Sequence, residues 1–186
     1  MGIHAKILSE GNIFRRYILK FGGLKMIFIT LGSQKFQFNR LLKAVDELIQ
    51  NGTITDTVFA QIGYSDYKPV HYHYIDFLDY DEFIKEIEKG NIIITHGGTG
   101  AIINAVKRKK KVIAIPRLAQ YGEHVDNHQL QLINEFKELG LVCECLSVDK
   151  IGEALEKVMK TEYRAYQSNT QTIIDNIEKY IESLVR

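Results

Sequence analysis

The sequence predicts an α/β fold, a parallel sheet with helices on both faces, and three observations carry that expectation. Strand-like and helix-like patterns alternate from Met26 onward. The apolar run Asn91-Ile92-Ile93-Ile94 empties into the glycine-rich turn Thr95-His96-Gly97-Gly98-Thr99-Gly100 and then into a helical pattern. A further apolar run, Ile113-Ala114-Ile115-Pro116, reads as the next buried strand. Alternation of this kind builds a parallel sheet whose strands are covered on both sides.

Taken in order, Met26 to Leu31 is a short apolar strand that ends at Gly32. Phe38 to Gln50 places Phe38, Leu41, Leu42, Val45, Leu48 and Ile49 at helical spacing. Thr57 to Ile62 and Val70 to Ile75 read as strands, the second with tyrosines alternating against His71 and His73, and Tyr80 to Lys89 reads as an amphipathic helix. A strand at 91 to 95, a helix at 99 to 108, a strand at 112 to 116, a helix at 128 to 139 and a strand at 141 to 145 follow. Ser147 opens a helix that runs through Met159. The last segment sets Ile173, Ile174, Ile177, Tyr180, Ile181, Leu184 and Val185 on one stripe, and a stripe that apolar requires a cover.

With 186 residues and 45% apolar content, the chain can bury one good core. A formal net charge of +1 gives no basic surface for nucleic acid. Cys143 and Cys145 alternate within an apparent strand, are expected on opposite faces, and so are not expected to bridge; a reducing cytoplasm suits them. No stretch approaches the roughly 20 apolar residues needed to cross a bilayer. Residues 1–25 place Ile13, Phe14, Tyr17, Ile18 and Phe21 on one face beside Arg15, Arg16 and Lys20. Such a stretch either lies on an anionic membrane surface or stands outside the fold; the second reading is favoured because Met26 directly opens the first strand. Lys107 to Lys111 are five consecutive cations, read as a helix cap ahead of a membrane-facing patch.

Two clusters point to chemistry. A strand, a glycine turn and a helix start bring free N–H groups and the positive end of a helix dipole to one point, which suits a diphosphate. Thr99 adds a hydroxyl donor, and His96, immediately before the glycines, is expected at the phosphate rather than as a satisfied strand-end histidine. The loop after Pro116 carries Gly122-Glu123-His124-Val125-Asp126-Asn127-His128-Gln129, dense in the donors and acceptors that reading sugar hydroxyls demands. Ligands of open α/β sheets sit beyond the carboxyl ends of the strands, so both clusters and Ser33 are expected to face one crevice. Phosphate beside polyol means a nucleotide sugar. His124 and His128 stand four apart near Glu123 and Asp126, a spacing that admits a metal, although none is expected. A dinucleotide fingerprint is rejected, because the G-x-G-x-x-G spacing fails and no acidic residue ends the next strand.

The stretch from Met26 to about Phe136 resembles the nucleotide-sugar-binding half of the GT-B glycosyltransferases, above all the family 28 C-terminal domain found as a free-standing subunit in bacterial capsule and exopolysaccharide synthesis. It is also similar to the small subunit of the eukaryotic transferase that adds the second N-acetylglucosamine to dolichol. Four segments carry the likeness in order: Phe28-Ile29-Thr30-Leu31-Gly32-Ser33-Gln34, the pair Phe77-Leu78, His96 to Gly100, and Gly122 to Gln129.

The resemblance implies a Rossmann-like domain over 26–160 and a C-terminal packing or docking segment over 161–186. It implies that Gly32 and Ser33 line the cleft and that the backbone of Phe77 and Leu78 meets uracil. His96, Gly97, Gly98, Thr99 and Gly100 would hold the diphosphate, while Glu123, Asn127, His128 and Gln129 would face the sugar. Many GT-B enzymes hold the ribose with a glutamate eight residues after the loop histidine; here that position is Asn104, which lacks charge assistance. The implied function is the UDP-sugar-binding subunit of an inverting hexosyltransferase, with UDP-galactose, UDP-glucose or UDP-N-acetylglucosamine as donor and no cofactor. Its acceptor would be a lipid-diphosphate-linked saccharide. A membrane-anchored subunit would supply the acceptor domain and the catalytic base, and hold this chain at the inner face of the plasma membrane. A non-catalytic subunit that activates another transferase is the alternative.

Overall fold

The computed structural model describes residues 25–168 together with 174, 175, 177, 178, 180 and 181. The basic amphipathic stretch read between Ile13 and Phe21 lies outside the described residues, as do Ile173, Leu184 and Val185 of the terminal stripe.

Six parallel strands form one sheet: β1 (Met26–Thr30), β2 (Thr57–Gln61), β3 (His73–Ile75), β4 (Ile92–His96), β5 (Lys111–Ile115) and β6 (Cys143–Glu144). Their order across the sheet is β3-β2-β1-β4-β5-β6. The chain therefore winds outward in one direction from β1, crosses back, and winds in the other from β4, so the loops after β1 and β4 diverge and open a crevice.

Side chains two apart along a strand share a face, and the core divides accordingly. Ile27, Ile29, Ile92, Ile94, Ile113 and Ile115 pack on one side against α1 (Asn39–Gln50) and α5 (Ile151–Lys160). Phe28, Ile93, Val112 and Ala114 pack on the other against α2 (Tyr80–Lys89), α3 (Thr99–Lys107) and α4 (His128–Glu138). The same rule corrects the expectation for the cysteines. Cys143 and Cys145 are also two apart, so both enter the α1/α5 core, where they are free buried thiols. Burial pushes the Cys145 thiol up to about 11 and holds it protonated.

Local chemistry explains where elements begin and end. Asp79 and Glu82 close a capping box at the start of α2, the Glu82 N–H donating to Asp79 Oδ1 at 2.8 Å and the Asp79 N–H to Glu82 Oε2 at 3.3 Å. The strand expected from Val70 shortens to His73–Ile75 because the Asp46 carboxylate accepts the N–H groups of both Val70 and His71, at 2.8 Å each. The strand expected from Leu141 shortens likewise. Gly140 (φ +71°) ends α4, with its N–H on Lys137 O and the Leu141 N–H on Phe136 O, so Leu141 belongs to the helix cap.

Three cations of the five-cation run serve helix ends. Arg108 Nη1 donates to Asn104 O in α3, Lys110 Nζ to Glu88 O in α2, and Lys111 Nζ to Val158 O and Met159 O in α5. Three helix C-termini receive cations from one short stretch, as the capping reading expects.

Candidate functional site

A cleft of about 870 Å³ opens beyond the carboxyl ends of β1 and β4, at the point where the winding reverses. Gly32 and Ser33 form one wall, His96 through Gly100 the floor, Leu78 the far side, and His128 and Gln129 the side nearest β5. These expected residues are brought together from four loops.

The floor is built around the imidazole of His96, which is 8% exposed. A Cβ on Gly98 would lie 2.3 Å from His96 Nε2, and one on Gly32 would lie 2.8 Å from His96 Cε1. The two glycines thus flank the ring, and Gly32 also needs its positive φ of 71° to turn the chain out of β1. Burial, reinforced by the nearby Arg117 charge, pushes the His96 pKa down to about 3. At neutral pH the ring is uncharged, so toward a phosphate it acts as an N–H donor rather than a counter-charge.

Gly98 is the N-cap of α3 and no side chain caps that helix. Its first-turn amides therefore face the cleft with the dipole behind them, beside Thr99 and Gly100. Gly97 is glycine for a third reason: a Cβ there would lie 2.7 Å from Gln129 Cβ. Gln129 Oε1 accepts the Gly97 N–H at 3.0 Å and the Arg117 N–H at 3.1 Å, bolting the loop after β4 to the loop after β5. The Gln129 side chain is buried, and its NH2 group is not used in these two bonds. Across the cleft Gln61 plays a looser linking part, donating to Gly32 O at 3.5 Å and accepting from the Leu78 N–H at 3.4 Å.

Three expected residues stand outside the cleft wall. Glu123 is 0% exposed; its Oε1 pairs with Arg40 Nε at 2.8 Å and its Oε2 accepts the Leu118 N–H at 3.0 Å, so it organises the loop after β5 from within. Asn127 Oδ1 accepts the Ala119 N–H at 2.9 Å and braces the same loop. Phe77 sets its ring edge-on to Tyr64 at 5.0 Å, beside rather than in the cleft. Asn104 also lies away from the cleft, its amide donating to Gly100 O and its oxygen accepting from Arg108. Conversely, Thr30, Lys35 and Gln61 line the cleft without having been singled out as site residues from the sequence, and His124, weighed there as a metal ligand, lines it too. Lys35 was legible only by position, three residues past Gly32, where a cation can reach a phosphate from the rim.

His124, Asp126 and His128 form one cluster at the mouth, with potential ligand atoms within 4.8 Å of one another. Asp126 Oδ1 contacts both rings, at 3.4 Å for His124 Nδ1 and more closely for His128 Nδ1. The three groups offer donors suited to a divalent transition metal; His128 Nδ1 is hydrogen-bonded to Asp126, while the buried His124 Nδ1 has no hydrogen-bond partner among the described residues.

Residues 26–184 match the glycosyltransferase family 28 C-terminal domain. The chain belongs to that family. The UDP-N-acetylglucosamine transferase subunit ALG13 of Candida glabrata is 26% identical over 84 residues, which cover 45% of this chain and 40% of that protein. The chain thus spans less than half the length of that relative. Among solved structures, an ALG13 determined by NMR superposes with a TM-score of 0.54 at 18% identity, covering 83% of this chain and 94% of the other. MurG of Acinetobacter baumannii superposes at 0.58 with 15% identity, covering 91% of this chain and 53% of MurG. The family 28 domain therefore has the fold of the C-terminal half of a GT-B glycosyltransferase, and its cleft opens at the switch point of that fold.

Proposed function

We propose that this family 28 domain is the UDP-sugar-binding subunit of an inverting hexosyltransferase acting on a lipid-diphosphate-linked saccharide in polysaccharide biosynthesis. A membrane-anchored subunit would complete it. One observation carries the reading: the uncapped N-terminus of α3 and the Gly32-Ser33 turn face each other across the cleft at the β1/β4 switch point. That arrangement supports a diphosphate held by backbone donors, the Thr99 hydroxyl and the neutral His96, with the hexose beside the loop bolted by Gln129.

In such a displacement the acceptor hydroxyl attacks the anomeric carbon, the bond to UDP breaks, and its electrons pass to the diphosphate oxygen. Preorganised donors stabilise that charge without rearranging. This chain supplies the stabilisation; the base that takes the hydroxyl proton is assigned to the other subunit. His71 and His73 lie on the β3 side of the sheet, and His71 Nδ1 is held by Asp46 at 3.2 Å. No helix of the described residues is long and apolar enough to cross a membrane.

The test is ligand stabilisation against heat. UDP or a UDP-hexose at about 100 times its dissociation constant should add roughly 2.7 kcal/mol of stability, and NAD none. Stabilisation by NAD with no response to any UDP-sugar would reverse the assignment. Transfer from a UDP-hexose is then expected only when the membrane-anchored subunit and the lipid-diphosphate acceptor are both present.

A further inference from the structure

Arg117 is the largest fully buried side chain among the described residues, 1% exposed just beyond the carboxyl end of β5. Its guanidinium donates from Nη2 to Leu31 O at 2.6 Å and lies 5.7 Å over the Phe38 ring. Its Nε and Nη1 have no partner among the described residues. A buried cation with unpaired donors is costly, and an apolar side chain of similar length would commonly be neutral or favourable for folding. Fold stability alone therefore does not account for an arginine here.

The nearest compensation is already committed. Glu123 gives one oxygen to Arg40 Nε and the other to the Leu118 N–H, while Arg40 Nη2 also reaches Pro116 O at 2.6 Å. Two guanidinium groups share one carboxylate, and the cluster keeps an excess positive charge. That excess stands directly behind the cleft. The Leu31 carbonyl that Arg117 holds precedes Gly32 and Ser33, and the Arg117 N–H shares the Gln129 acceptor with the Gly97 N–H.

We propose that Arg117 is a positioning residue for a diphosphate, its buried charge offset by the ligand's negative charge and retained at the expense of the free protein's stability. The diphosphate is identified by charge and by the donors in front of it; taking it to be that of UDP rests on the function proposed above. The low dielectric behind the loop lets the charge act across the Gly32 and Gly97 backbone more strongly than a surface cation would.

Titration calorimetry with UDP, uridine and inorganic pyrophosphate on the parent, Arg117→Met and Arg117→Lys tests this, alongside melting temperatures without ligand. Arg117→Met should melt at or above the parent temperature and lose tenfold or more in affinity for UDP and pyrophosphate, with uridine unchanged within twofold. Arg117→Lys should restore most of the loss. An Arg117→Met chain that melts well below the parent or fails to fold, or that loses UDP and uridine equally, overturns the proposal. In the unaltered chain the Arg117 Nε–H resonance should move with pyrophosphate and not with uridine; no movement also overturns it. A parent that binds pyrophosphate but neither UDP nor uridine removes the UDP reading and leaves the role of Arg117 standing, whereas one that binds none of the three removes both.

Discussion

His96 shows how one buried side chain sets the behaviour of a site. Its imidazole is closed in by Gly32 and Gly98 and kept neutral by burial, so the folded state resists protonation while the unfolded chain does not. Its pKa falls from 6.5 to about 3 on folding. Above pH 6.5 the residue leaves stability unchanged with pH; as pH falls from there toward 3, the unfolded state takes up the proton and stability is lost. At pH 4.5 the loss from this residue should be about 2 to 3 kcal/mol. Denaturant unfolding of the parent and of His96→Gln at pH 7 and pH 4.5 checks it: the variant should lose less stability over that interval. An equal loss in both would mean that His96 titrates normally in the fold. The sequence marked His96 by its place before three small residues, but not that the glycines are shaped around the ring. Arg117 and Gln61 gave no signal in the chain, because a residue that acts from beneath a loop has no spacing rule to betray it.

At the level of elements, the loop after β4 contains glycines doing different jobs. Gly98 is held to glycine by contact, since its Cβ would strike His96, whereas a Cβ on Gly100, inside the first turn of α3, would meet nothing within 4 Å. Gly98→Ala is therefore expected to destabilise by about 1 to 3 kcal/mol through forced displacement of ring or backbone. Gly100→Ala should stabilise by up to roughly 1 kcal/mol through helix propensity. Thermal melts of the two variants measure the contrast, and equal effects would show that the loop relaxes around His96. Element type was readable where periodicity was strong: α1 and α2 sit where the apolar spacing places them, and β1, β4 and β5 match their apolar runs. Extents were misread where another interaction took the amides of the expected strand. Asp46 takes the amides that would have lengthened β3, and Gly140 draws Leu141 into the cap of α4. Asp46 is remote in sequence from the strand it shortens and so is invisible in a local window, whereas Gly140 adjoins Leu141 and is a helix-stop signal that the chain does carry.

For the whole molecule, the question is what the C-terminal stripe covers. Among the described residues, the sheet is covered by α1 and α5 on one side and by α2, α3 and α4 on the other, and Tyr163 and Tyr166 pack against these cores. Beyond these, Ile174, Ile177 and Ile181 are helical, with exposures of 41%, 53% and 53%. We propose that this exposed apolar face is a docking surface. Helix-in-groove docking onto the membrane-anchored subunit proposed above would bury it. Deleting the chain from Gln171 onward should therefore leave the melting temperature within a few degrees of the parent and UDP affinity within about twofold, because the described residues beyond Gln171 are in neither core nor the cleft wall. The same deletion should abolish co-purification with the membrane-anchored subunit and, with it, transfer from a UDP-hexose. Substituting Ile177→Glu and Ile181→Glu in the full-length chain should reproduce that separation, since two carboxylates in an apolar groove would have to be desolvated without partners. A truncated chain that no longer folds would assign the helix to this domain's own core, and retained association would place the docking surface elsewhere on the molecule.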